Sequence, residues 1–300
     1  MQGRFSATST LALVAYSVMD SHSKLRFLHI PKTAGTSFND CLFALYPRAY
    51  YLRRVFVFHG DVRADVRRLE ALPGKKRDGI LLYTGHGPLE PGIASLSRIP
   101  TVTFLRDPVA RVASLCQHFF EGKSPEVEIR APGETDAIDA LLDSGEPQLS
   151  NMQARALLGD RDYQLPEGNE AQLAERASQV LEHDLQAFGI TEEFDLSLLL
   201  FQRALGWQRT PRYRYRNTGS RHARLQFSDR QLDRIGAMNS IDLRIYTAAK
   251  ALFYRRVTQA LGITLPGPEQ LRRELTRPSL SLMGLDAARG MARFARSKLS

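Results

Sequence analysis

Residues 102–114, VTFLRDPVARVAS, run a short apolar strand straight into a helix start, with a single arginine at the joint. Residues 27–37, FLHIPKTAGTS, make a second joint of the same kind, with a lysine at the strand end. Strand-to-helix joints of this sort build open parallel sheets, and there they align along one edge, at the carboxyl ends of the strands, where ligands bind. The expected fold class is therefore α/β: a P-loop-like open parallel sheet flanked by helices, with a largely helical C-terminal half. Two cationic turns on one edge call for a ligand carrying two separated anionic groups.

In the first joint, residues 25–30 are strand formers, Pro31 breaks the run, and Lys32-Thr33-Ala34-Gly35-Thr36-Ser37 follow. Small residues let the backbone amides of 33–37 curl around an oxyanion. The helix expected at 37–45 turns its positive end to the same place. Lys32 adds a point charge, and Thr33, Thr36 and Ser37 add hydroxyl donors. The spacing is not that of GxxxxGK[ST], because the lysine precedes the glycine by three positions. An ordinary capped helix start would account for the serine and threonines but not for Lys32.

In the second joint, 101–105 is the strand, Arg106 its exit, Asp107 an N-cap and Pro108 the first helical residue. Arg106 suits bidentate capture of a phosphate, and Ser114 lies two turns into the helix on the face reached from Arg106. The plainer alternative makes Asp107-Pro108 punctuation and Arg106 a partner for Asp107.

A third strand, 79–84, ends on Gly85-His86-Gly87-Pro88. Histidine titrates nearest neutrality and is the ordinary choice for taking a hydroxyl proton. His59 competes with His86: it closes a strand-like run at 55–58, and Asp61 stands ready to orient its imidazole. His29 and His118 read as packing or hydrogen-bonding residues. No histidine pair has metal-ligand spacing such as HExxH, so no metal is expected.

Together these stretches resemble sulfotransferases of the heparan-sulfate 2-O-sulfotransferase-like type (sulfotransferase family 2). FLHIPKTAGTS resembles their 5′-phosphosulfate loop and FLRDPVARVAS their 3′-phosphate motif, and SNMQARALLG (150–159), FGITEEFDLSLLLFQRALGW (188–207) and NSIDLRIYTAAKALF (239–253) continue the likeness over roughly residues 24–262. The resemblance implies 3′-phosphoadenosine-5′-phosphosulfate as co-substrate, its phosphosulfate held by Lys32, Thr33, Ala34, Gly35, Thr36 and Ser37 and its 3′-phosphate by Arg106 and Ser114. It places the catalytic base at a Gly-His after a strand, here His86, with Lys32 stabilising the departing phosphate. It also implies a late loop closing over the nucleotide. The arginine-rich stretch 209–224 is where that loop is expected, with Arg216, Asn217 and Ser220 as its contacts. The implied reaction is in-line sulfuryl transfer to a hydroxyl of a carbohydrate or glycolipid.

Composition is consistent with one enzyme. The chain is 43% hydrophobic, enough for a large core, and its 41 basic against 32 acidic residues give +9, which suits polyanionic ligands. Cys41 and Cys116 do not make a disulfide framework. The expected organisation is a partly disordered segment at 1–23, a sulfotransferase domain at 24–265 with a lid or acceptor-site excursion at 121–147, and a basic helical tail at 266–300. Further helices are expected at 135–143, 149–158, 169–183, 192–206, 228–238 and 240–261, and a strand at 185–191. The apolar stretch 11–19 falls short of the ~20 residues a membrane span needs. Animal members of the resembled family are anchored Golgi proteins, so a bacterial, cytoplasmic enzyme is expected here. The tail allows peripheral contact at the inner membrane face. Two other readings stay open: a P-loop-type kinase of a small molecule, which lacks its Walker A lysine here, and a non-catalytic nucleotide- or nucleic-acid-binding protein. Nucleic acid is not an expected partner, because 209–224 lies between helices rather than in a recognisable binding module.

Overall fold

In the computed structural model, residues 23–90, 92–122, 134–214, 224–261 and 267–277 are described. Five strands, β1 (Leu25–Leu28), β2 (Val55–His59), β3 (Leu82–His86), β4 (Thr101–Leu105) and β5 (Ala187–Ile190), pair in parallel in the order β2-β3-β1-β4-β5. Between β1 and β3 come α1 (Gly35–Leu45), α2 (Pro47–Tyr51), α3 (Val62–Glu70) and α4 (Gly74–Asp78). Between β4 and β5 lie α5 (Pro108–Phe120), α6 (Glu134–Asp143), α7 (Met152–Leu158) and α8 (Glu170–Gln179). After β5 follow α9 (Phe194–Ala204), α10 (Asp229–Met238), α11 (Ser240–Leu261) and α12 (Pro268–Leu275). This is the α/β class with a helical second half.

Alternation along the strands sorts the core into two layers. Leu25, Phe27, Val102, Phe104 and Ala187 face one way, against α1, α9 and α12. Leu28, Leu105, Phe188 and Ile190 face the other, against α7, α8 and α11. A parallel sheet covered on both faces needs such apolar strands. Phe38 of α1 meets Phe27 edge-on at 4.7 Å and Phe104 at 5.1 Å, and Phe201 of α9 joins the group at 5.2 Å from each of Phe38 and Phe104. Aromatic pairs contribute ~0.5–1.5 kcal/mol each beyond the area they bury. They fix where the amino end of α1 points.

Several boundaries differ from the sequence expectation, for local reasons. The strand expected at 79–84 starts later, because Gly79 closes α4, and it runs on to include His86. The helix expected at 37–45 begins at Gly35, since Ala34 supplies a left-handed N-cap. The helix expected from 149 begins at Met152, after a 3₁₀ turn at Pro147–Leu149 and a left-handed Asn151. That expected at 169–183 loosens into a π turn, Val180–Asp184. Short α2, α3 and α4 lie in a stretch where the sequence offered no sustained period.

Candidate active site

β1 is flanked by β3 and β4, so the three joints are neighbours on one rim. The chain leaves β1 and works through β2 and β3 on one side before crossing to β4 and β5 on the other. The reversal of order falls between β1 and β4, the position where open α/β sheets form their ligand crevice. There the Arg106 guanidinium donates through Nη1 to the Lys32 carbonyl at 3.0 Å. The two cationic joints are thus in direct contact.

Lys32 and Ala34 both sit in the left-handed region, at φ 68° and 62°. Non-glycine residues there are uncommon and strained by ~1 kcal/mol or more, and such strain concentrates at ligand clamps. Thr33 between them is fully buried, and its hydroxyl donates inward to the Ile30 carbonyl at 2.8 Å, so that group ties the turn together. Thr36 is exposed and Ser37 half-buried. The amino end of α1 has no side-chain cap, whereas α3, α5, α8 and α10 are capped by Asp61, Asp107, Asn169 and Ser228. Its first-turn amides keep their donor capacity at the positive end of the helix. Gly35 is required here: a Cβ on it would lie 1.8 Å from His29 Nε2, because the turn rests on that imidazole.

His29 links this loop to the candidate base. Its ring stacks on Phe27 at 5.3 Å and lies 4.5 Å from the His86 ring, while its carbonyl oxygen is 2.8 Å from His86 Nδ1. A carbonyl only accepts, so neutral His86 carries its proton on Nδ1 and leaves Nε2 bare. Burial, then His86 and Lys32, lower His29 to about 3, and its ring stays neutral. Burial also lowers His86; the bond to the His29 carbonyl works against this, and His59 adds to it. His86 is therefore unprotonated at neutral pH. Gly85 is needed for the sheet: at φ 121° it lets β3 close on β2, where a Cβ would meet the Phe58 carbonyl at 2.1 Å. A Cβ on Gly87 would meet nothing nearer than 4.0 Å.

His59 lies opposite His86 in register, at an exposed strand end. Asp61 does not orient its ring. That carboxylate accepts from the Ala64 amide as the N-cap of α3, and Asp65 takes the His59 amide at 2.6 Å. Asp107 likewise caps α5 by accepting from the Ala110 amide, so Arg106 turns to Lys32 and, at 4.0 Å, to Glu192. Burial lowers the Arg106 pKa. Ser114 is half-buried in the second turn of α5. Arg216, Asn217 and Ser220 lie outside the described residues.

Sequence reasoning passed over the side chains that hold Arg106. The Gln153 side chain pairs with the Arg106 peptide unit on both sides, accepting from its amide at 2.9 Å and donating to its carbonyl at 2.9 Å. Asp242, fully buried, accepts from the Gln153 and Ala154 amides at 3.0 and 2.7 Å, and Asn151 returns the arrangement by accepting from the Ile241 and Asp242 amides. The amino ends of α7 and α11 cap each other, and Gln153 projects from that joint. The signal was present: polar residues interrupt otherwise apolar helical stretches at 151, 153, 239 and 242. Arg26 was also missed. Buried in β1, it donates to the Pro88 and Leu89 carbonyls at 2.6 Å each and pins the chain just beyond His86.

Among the described residues no cluster of histidine, cysteine and carboxylate side chains could hold a metal ion. Cys41 and Cys116 are buried, and burial raises both thiols, that of Cys116 to about 12, which leaves them unreactive. No described helix is long and apolar enough to cross a membrane.

No protein-family model and no curated protein matches the chain. Among solved structures it is similar to mouse sulfotransferase SULT7A1 complexed with PAP, at 12% identity over 89% of each chain and a TM-score of 0.37. A likeness that shallow carries no functional assignment, and the chemistry rests on the residues of the rim.

Proposed function

We propose that the chain is a sulfotransferase that moves a sulfuryl group from 3′-phosphoadenosine-5′-phosphosulfate to a hydroxyl of a carbohydrate or glycolipid. The observation that carries this reading is the contact between Lys32 and Arg106, with His86 on the adjoining strand. A nucleotide anionic at both its 5′ and its 3′ side matches two cationic joints in contact, and a neutral imidazole beside them supplies the proton acceptor. Lys32, the uncapped amides of α1 and the hydroxyls of Thr36 and Ser37 fit the phosphosulfate. Arg106 and Ser114 fit the 3′-phosphate, which would draw Arg106 away from Glu192.

When bound, the donor supplies an electrophilic sulfur and a phosphate leaving group. His86 Nε2 takes the proton of the acceptor hydroxyl as its oxygen bonds to sulfur and the sulfur–oxygen bond to the phosphate breaks. His86 is then cationic, and its Nδ1–H still donates to the His29 carbonyl. Lys32 and the loop amides stabilise the charge that builds on the departing phosphate; preorganised donors of this kind are worth roughly 3–4 kcal/mol each. The left-handed loop keeps them in place before the reaction begins.

The test is transfer of sulfur label from the donor to carbohydrate and lipid extracts. His86→Ala is expected to bind adenosine 3′,5′-bisphosphate as the parent does and to lose roughly 10²–10⁴-fold in turnover. Turnover at the parent rate would remove His86 as the base.

A further inference from the structure

An open cavity of about 660 Å³ lies at the other rim of the sheet, lined by the starts of β2 and the approach to β3 together with α3 and α4. Its volume is in the range of small-ligand sites. Its walls combine Arg53, Arg54, Arg68, Lys75 and Lys76 with apolar side chains such as Leu52, Phe56 and Ile80, and no acidic residue lines it. Arg68 lies over the Phe56 ring at 4.6 Å and is neutralised by Asp65. Arg53, Arg54, Lys75 and Lys76 are exposed, and none forms an ion pair among the described residues. Residues 48–77 hold nine of the chain's 41 basic residues against three acids.

Beside the cavity the surface turns apolar. Leu52 on the cavity wall and the preceding Tyr51 are 58% and 53% exposed, the two most exposed large hydrophobic side chains among the described residues. A soluble polyanion would engage the cations but has no use for these side chains. Cations around a pocket with an aromatic and an aliphatic side chain at its lip are the chemistry of a bilayer interface. We propose that this rim docks on an anionic lipid bilayer, the cavity taking one anionic headgroup while Tyr51 and Leu52 enter the headgroup–acyl boundary. Docking by this rim leaves Lys32 and His86 facing away from the bilayer.

Flotation of the full chain with vesicles tests this, comparing phosphatidylcholine alone with phosphatidylcholine containing one third phosphatidylglycerol. The chain is expected to float only with the anionic vesicles and to be released by salt. Lys75→Gln with Lys76→Gln is expected to lower partition roughly tenfold or more, from about 1 kcal/mol per basic residue at such a surface. Leu52→Asp should lower it as well, with the circular dichroism spectrum and unfolding midpoint of each variant unchanged. Three results would overturn the proposal: no preference for anionic vesicles, flotation that survives the cavity substitutions and is lost only with Arg289→Gln and Arg293→Gln in the tail, or binding of a soluble sulfated polysaccharide through the same residues without flotation.

Discussion

His86 works as a base only while unprotonated, and its surroundings hold its pKa below the ordinary histidine value. The acidic limb of a turnover–pH profile should therefore lie below the usual ~6.5 for a free histidine. A limb above that value would mean that another group is the base. Stability follows the same sign. An unfolded chain takes protons on His29 and His86 below ~6.5 that the folded rim excludes, so the unfolding free energy should fall as pH drops from there towards 3. Denaturant titrations across that range measure it. Gly35 supplies a steric counterpart. Gly35→Ala would place a methyl inside the His29 ring, so the turn, the imidazole or both must shift. Nucleotide affinity is expected to fall at least tenfold, with a drop in stability of about 1–3 kcal/mol, as overpacking commonly produces. Affinity equal to the parent would show that α1 does not set the loop.

Between elements, the joint of α7 and α11 decides whether Arg106 is held. Gln153 is 1% exposed, and its side chain accepts from the Arg106 amide and donates to the Arg106 carbonyl. Gln153→Ala takes both bonds from that part-buried amide and carbonyl, a loss of about 1–3 kcal/mol. Weaker nucleotide binding should follow through Arg106 alone. In a double-mutant cycle, Gln153→Ala added to Arg106→Ala should then weaken binding little further, whereas an additive loss would place Gln153 in a separate role. The same joint shows where sequence reading stopped. Lys32, Arg106 and His86 were legible because each stands at a strand exit marked by proline, glycine or a helix cap. Gln153, Asn151, Asn239 and Asp242 were not, because their partners lie about 50 to 90 residues away and only folding brings them together. Asp61 was misread although everything involved is local: the Ala64 amide of the helix it caps took the carboxylate, not the imidazole two residues before it.

At the scale of the molecule, the order β2-β3-β1-β4-β5 brings three distant stretches of sequence to one rim. Each joint was visible by itself. Their adjacency was an expectation drawn from parallel topology, and it held because apolar strands buried on both faces leave little choice of partner. The basic rim around Arg53 and Lys75 escaped notice because its charges are spread over three short elements with no common period. The central claim is that one nucleotide is held by both cationic joints. Calorimetric titration with adenosine 3′,5′-bisphosphate and with adenosine 5′-phosphate, on the parent chain and on Arg106→Ala, tests it most directly. Loss of a charge-assisted phosphate contact costs about 1.5–3 kcal/mol, so the 3′-phosphate should tighten binding to the parent by roughly tenfold or more and have little effect on Arg106→Ala. Equal affinity of the parent for both nucleotides would contradict the account.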